Sequence, residues 1–183
     1  VPNLSAEGLL RHDEIHRYAD DDVRTVIIDV DTQERVPHWA ELDMSHDQKD
    51  RRVLRLYPAK PMEWGHHYVV GIRNLQDESG HRIESNEHFQ ALKNHTPTGT
   101  YDIDGRSSLY ENTIFPVLES TGFTRDELYL AWDFQIASRE HTLRQVLHMR
   151  DDALDRIEGG LPYTITEVER FTLEENAKIA DSW

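Results

Sequence analysis

Eleven histidines, 35 acidic residues and no cysteine make up the chemistry-bearing inventory of this 183-residue chain. His66 and His67 are adjacent, and His141 and His148 stand seven apart, which puts them on one face if that stretch is helical. Neighbours on a strand point to opposite faces, so His66 and His67 should not converge on one ion. Two imidazoles on a helix still lack the third ligand that zinc sites need. Acidic loops suit a hard cation better. Asp102-Ile103-Asp104-Gly105 sets alternate carboxylates before a glycine turn, as in half of a calcium loop, and Asp20-Asp21-Asp22 is similar. The downstream bidentate glutamate of a complete loop is missing. Calcium at Asp102 and Asp104 is therefore the one ion expectation, and solvated turn residues are the plainer account of both segments.

Nucleophilic chemistry has few starting points. Ser79-Gly80 and Gly105-Arg106-Ser107 lack the strand–elbow–helix setting of a G-x-S-x-G nucleophile. Neither H-E-x-x-H nor a P-loop glycine pattern occurs. Ser138, His141 and Asp133 hold the residue types of a triad, yet Ser138 is placed to cap a helix, which explains it without catalysis. Among the aromatics, Trp39, Trp64, Trp132 and Tyr68 are the ones a carbohydrate platform would use. Trp132 alternates with core residues and Trp39 reads as a core candidate. Trp64, in a turn beside Gly65, is the surface candidate.

The charge balance narrows the partners. A formal net charge of −15, from 20 basic against 35 acidic residues, opposes binding to nucleic acid or to anionic membranes. It favours solubility and suits an extracellular setting. The absence of cysteine excludes disulfides, thiolate metal sites and a cysteine nucleophile, and fits cytoplasmic and secreted bacterial proteins alike. No run approaches the roughly 18 apolar residues of a membrane span. Val1-Pro2-Asn3-Leu4 has no signal-peptide pattern.

These groups must be positioned by a mainly β chain. Residues 1–22 read as a polar lead-in crossing the domain surface. Val23–Val30, with Val26, Ile27 and Ile28 in succession, is the first strand; Arg35–Leu42 is a second, at an edge or bulged because Pro37 removes a ladder donor. Val53–Tyr57 and Tyr68–Ile72 read as a pair of antiparallel strands, and Asn74–Gly80 supplies turn chemistry through Asp77 and Gly80. Gln90–Asn94 fits one helical turn, and 95–106 a loop. Leu109, Tyr110, Ile114, Val117 and Leu118 predict an amphipathic helix over Ser107–Ser120, kinked at Pro116. Leu128–Ile136 alternates strictly, placing Leu128, Leu130, Trp132, Phe134 and Ile136 on one face. Ser138 then opens a helix over 139–157 whose apolar stripe is Leu143, Val146, Leu147, Leu154 and Ile157, ended by Gly159-Gly160. A last strand is expected over 163–171, followed by a helix or connection over 174–183. The terminal Trp183 suggests that the natural chain continues.

Three stretches carry a resemblance. Leu54-Arg55-Leu56-Tyr57-Pro58-Ala59-Lys60-Pro61-Met62, Gly65-His66-His67-Tyr68-Val69-Val70 and Leu75-Gln76-Asp77-Glu78-Ser79-Gly80 together resemble the bacterial Ig-like family with SbsA-type domains. The likeness covers roughly residues 23 to 90, and Leu128–Ala137 is similar to that family's closing strand. A further likeness is to large secreted bacterial α/β-hydrolase and lipase-like proteins, in which an Ig-like segment and a helix precede the catalytic domain. This chain departs from them in lacking the catalytic half. The resemblance implies an α+β chain: an Ig-like β-sandwich with two helical elaborations. Its main part would span residues 1–96, a loop, helix and returning strand 97–137, and a helix, strand and connection 138–183. It implies a non-catalytic accessory segment docking on a hydrolase-like domain, in the same or an associated chain, in the cell envelope or outside the cell. The rival expectations are an esterase whose active site lies outside this segment, and a carbohydrate- or surface-binding module using Trp64.

Overall fold

Consecutive β-branched residues belong where a strand is buried on both faces, and the centre of the fold is built from two such runs. The structure is a computed structural model describing residues 4–161, 163–168, 170 and 172. It divides into two units between Thr142 and Leu143. In the first unit, β1 (Thr25–Asp29) and β5 (His67–Arg73) are the inner strands of a four-stranded antiparallel sheet. They are flanked by β2 (Glu34–Arg35) and β6 (Leu128–Gln135), in the order β2-β1-β5-β6. All five residues of β1 and six of the seven in β5 are buried. A second antiparallel sheet pairs β3 (His38–Leu42) with β4 (Leu54–Pro58). The architecture is mixed α+β.

Two apolar layers hold the four-stranded sheet. On one face Val26, Ile28, Val69 and Ala131 pack with Phe89, Leu92, Tyr110, Ile114, Phe115, Leu118 and Phe123. On the other, Ile27, Tyr68, Val70 and Ile72 meet Ala40, Leu42, Leu54 and Leu56 of the smaller sheet, with Trp132 between them. At roughly 1.5–3 kcal/mol for each fully buried aliphatic or aromatic side chain, these layers outweigh any single polar contact. Pro37 falls between β2 and β3, where the chain passes from one sheet to the other and needs no ladder donor.

The helical layer is more broken than its pattern suggests. α1 (Glu87–Lys93) is opened by Asn86, whose side chain accepts from Phe89 N–H. Residues 95–106, expected to be a loop, contain a short helix, α2 (Tyr101–Asp104), and the carboxylate of Asp104 folds back to accept from Thr98 and Gly99 N–H. The helix expected over Ser107–Ser120 forms as α3 (Ser107–Leu109), a π turn (Tyr110–Ile114) and α4 (Phe115–Glu119). Pro116 lacks the N–H that an α-turn would use, and the widened turn stands immediately before it.

Four further expectations are corrected. Val53–Tyr57 and Tyr68–Ile72 do form strands, but β4 pairs with β3 while β5 pairs with β1 and β6. The alternation of Leu128–Ile136 is interrupted by a register shift opposite Ile72 and Arg73. Leu128 and Leu130 therefore pack with the helices, and Tyr129 and Trp132 with the smaller sheet. Trp39, a core candidate, lies on the outer face of the small sheet and stacks on Tyr57 with ring centroids 4.9 Å apart. The lead-in is not only a surface crossing, since Leu9 and Leu10 are buried.

The second unit is dominated by α5 (Arg139–Arg156). No residue of α5 is buried. Residues 163–168, part of the expected last strand, form no strand; Glu169, Phe171 and 173–183 lie outside the described residues. Among the described residues no helix is long and apolar enough to cross a membrane.

Candidate functional site

At one end of the four-stranded sheet, the last residue of β1 meets the lead-in to β5. Asp29 is buried there because Ile27 and Tyr68 flank it on the inner strands. Its Oδ1 accepts the N–H groups of Asp31 (3.0 Å) and Thr32 (3.2 Å), which closes the turn into β2. Its Oδ2 accepts the Nδ1–H of His66 at 2.8 Å. Burial pushes this carboxyl up, but the bonds from His66 and from the Thr32 and Asp31 N–H groups outweigh it and hold it below the usual range. The same bond to Asp29 holds the His66 imidazole above its ordinary value, against partial desolvation. Asp31 turns back across the gap, and its Oδ2 accepts from the N–H of His67 at 2.8 Å. One ligand atom each from Asp29, Asp31 and His66 lie within 4.8 Å of one another.

His67 points the other way, as strand alternation requires. Its Nε2 meets Asp133 Oδ2 at 2.8 Å, and Asp133 Oδ1 accepts from Arg106 Nη2 at 2.9 Å. The adjacent histidines thus join two different carboxylates and share no site. Asp133 is thereby committed to His67 and Arg106. Ser138 Oγ accepts from the backbone N–H of His141 at 3.0 Å, the geometry of a helix cap. The three residues that held the types of a triad are not assembled into one.

The remaining sequence candidates separate. Asp104 accepts from Thr98 N–H and Oγ1–H, both at 2.8 Å, and from Gly99 N–H at 3.0 Å. These bonds, led by the Thr98 N–H, hold its carboxyl below the usual range. Asp102 is exposed, two helical positions away and so roughly 200° round the axis of α2. The fold does not bring the two carboxylates together. Trp64 is 51% exposed, in the turn where Gly65 takes φ +79°. A depression of about 840 Å³ is lined by Leu9, Arg17, Arg24, Glu41 and Met44 among others, and by no serine, threonine or histidine.

No protein-family model, curated protein or solved structure matches this chain.

A second feature belongs to the other unit. On α5, Leu143, Val146, Leu147, Ala153 and Leu154 fall on one side of the helix, with Arg150 among them and Ile157 just past its end. Val146 and Leu154 are 63% and 55% exposed. Leu161, Tyr163, Ile165 and Val168 are exposed beyond it. The Asp29–Asp31–His66 cluster escaped sequence reading because its members lie up to 37 positions apart and are joined only by the β1–β5 pairing. The one local signal for it is the spacing of alternate carboxylates, Asp29-x-Asp31, at a strand end.

Proposed function

We propose that this chain is a non-catalytic, Ig-like accessory segment that docks on and positions a hydrolase-like catalytic domain, in a bacterial protein of the cell envelope or exterior. On this reading the two facing antiparallel sheets are the counterpart of an Ig-like sandwich, with the helices added on the outer face. The observation that carries it is α5. Helices in proteins owe most of their stability to a covered apolar face. An 18-residue helix with no buried residue and an apolar stripe, interrupted at Arg150, offers that stripe to something else. In keeping with this reading, the Asp133 carboxylate is held by His67 and Arg106, and the Ser138 hydroxyl caps α5 through the backbone N–H of His141.

The test is the complete native protein, expressed from its full reading frame with its associated chains and measured by intact mass and esterase assay. The reading expects a hydrolase-like domain in the same or a co-purifying chain, and background hydrolysis of p-nitrophenyl esters by the 183-residue chain alone. It also expects Leu147→Asp with Leu154→Asp to release or destabilise that domain. A native protein without such a domain, or hydrolysis by the isolated chain, overturns it. A second reading, a carbohydrate-binding module, is favoured by the exposure of Trp64; unchanged glycan retention in Trp64→Ala removes it.

A further inference from the structure

The geometry points to a divalent-cation site formed by Asp29, Asp31 and His66, for an ion of the zinc or manganese type. Three features of the cluster converge on it. First, the ligand set is mixed. Two carboxylates and an imidazole suit borderline cations such as zinc and manganese, whereas calcium prefers an all-oxygen shell of six to eight ligands. Second, each carboxylate is oriented by backbone through one oxygen only. Asp29 Oδ1 is fixed by two N–H groups and Asp31 Oδ2 by one. Among the described residues no donor reaches Asp31 Oδ1. Such outer bonds are what hold metal ligands in place. Third, the three side chains converge: one ligand atom from each lies within 4.8 Å of the others. An ion at His66 Nδ1 would replace the proton that this nitrogen now donates to Asp29, releasing it to solvent.

The cluster also has the charge to attract such an ion. With His66 neutral, Asp29 and Asp31 leave two negative charges at this end of the sheet, and Glu63 adds to the field that His66 feels. Three protein ligands leave positions for water, so the ion would clamp the β1–β2 turn onto the lead-in of β5.

This inference stands apart from the accessory role, and its test does not depend on a partner domain. The purified chain is titrated with zinc chloride, and separately with manganese and calcium chloride, by calorimetry and thermal melting after treatment with chelator. The expected result is one zinc equivalent raising the melting temperature, at least a tenfold loss of affinity in Asp31→Asn and in His66→Gln, and much weaker binding of calcium. With eleven histidines in the chain, zinc can also attach elsewhere. Manganese broadening of NMR signals therefore localises the ion, and it should centre on residues 29–32 and 63–68. Asp31 is exposed, so Asp31→Asn should keep the fold, which circular dichroism verifies. Affinity unchanged in both variants, broadening centred elsewhere, or no saturable binding at millimolar metal overturns the site.

Discussion

Gly71 sits at the middle of β5, where the helical layer comes closest to the sheet. A Cβ at this position would stand 2.6 Å from Leu118 Cδ2 and 3.2 Å from Val26 Cγ1. Leu118 is fully buried on α4, and Val26 is fully buried on β1, so neither has open space to move into. Gly71→Ala should therefore overpack the layer. Overpacking typically costs about 1–3 kcal/mol. Replacing a strand glycine returns about 0.5–1 kcal/mol by restricting the unfolded chain, so the net loss should be roughly 0–2.5 kcal/mol. Leu118→Ala alone removes a buried side chain and opens a cavity, at about 2–5 kcal/mol.

The double variant separates this account from a general weakening of the core. With Leu118 shortened, the methyl group introduced by Gly71→Ala has room and fills part of the void. Gly71→Ala with Leu118→Ala should then be less destabilised than the sum of the single variants, by about 1 kcal/mol or more. Urea denaturation followed by tryptophan fluorescence measures all three. Additivity to within about 0.5 kcal/mol would mean that the two positions do not touch. The seating of α4 on β5, and with it the helix-on-sheet layer, would then be wrong.

Three other outcomes follow from the same packing. Arg73 donates to the carbonyls of Val23 (3.0 Å), Gly122 (2.9 Å) and Asp21 and lies 4.0 Å over the Phe123 ring; Arg73→Lys cannot reach all three, and should cost about 2–4 kcal/mol in urea melts. His38 is fully buried, donates from Nδ1 to Val36 O and accepts at Nε2 from Thr25 Oγ1, each at 2.9 Å; burial, with a smaller contribution from Arg35, holds it below its ordinary value. The unfolded chain then takes up a proton that the folded one resists, so this stability is complete above pH ~6.5 and is lost as pH falls below it; a His38→Gln variant should show a shallower fall between roughly pH 6.5 and 5, and an identical slope would refute the assignment. In the isolated chain, Leu147→Asp and Leu154→Asp should each shift stability by less than about 0.5 kcal/mol, since neither is buried; a larger loss in thermal melts would show that the face is already covered.

The strands were legible wherever local composition was enough. The run Val26-Ile27-Ile28 is a strand because both of its faces are covered, and the Ser138 cap starts α5 where its hydroxyl can reach the His141 N–H. Pairing was less legible. Proximity in sequence suggested that 53–57 should join 68–72, but Pro37 turns the chain between sheets and delivers β3, not β5, to the edge of β4. The side chosen by Leu128 depends on a bulge, which no alternation pattern contains. Trp39 was misplaced because a two-stranded sheet has an outer face where large aromatics pair across strands. The calcium expectation at Asp102 and Asp104 rested on carboxylate spacing, and in the structure the Asp104 carboxylate accepts from Thr98 and Gly99. The Asp29–Asp31–His66 cluster needed the β1–β5 register before it could be seen.

What remains open in the molecule indicates where it acts. Catalytic sites hold polar groups whose bonds are incomplete or whose ionisation is displaced toward reaction. Among the described residues, no buried side-chain nitrogen or oxygen lacks a hydrogen-bond partner. The buried groups that titrate or carry charge inside the layers, His38 and Arg73, are engaged by backbone carbonyls and the Thr25 hydroxyl. Asp133, the carboxylate nearest to a triad in type, is held by His67 and Arg106. The interior is therefore consumed by its own architecture. Two features are left incomplete at the surface: the unfilled acceptor position of Asp31, and the apolar stripe of α5. The first suits an ion and the second a protein surface.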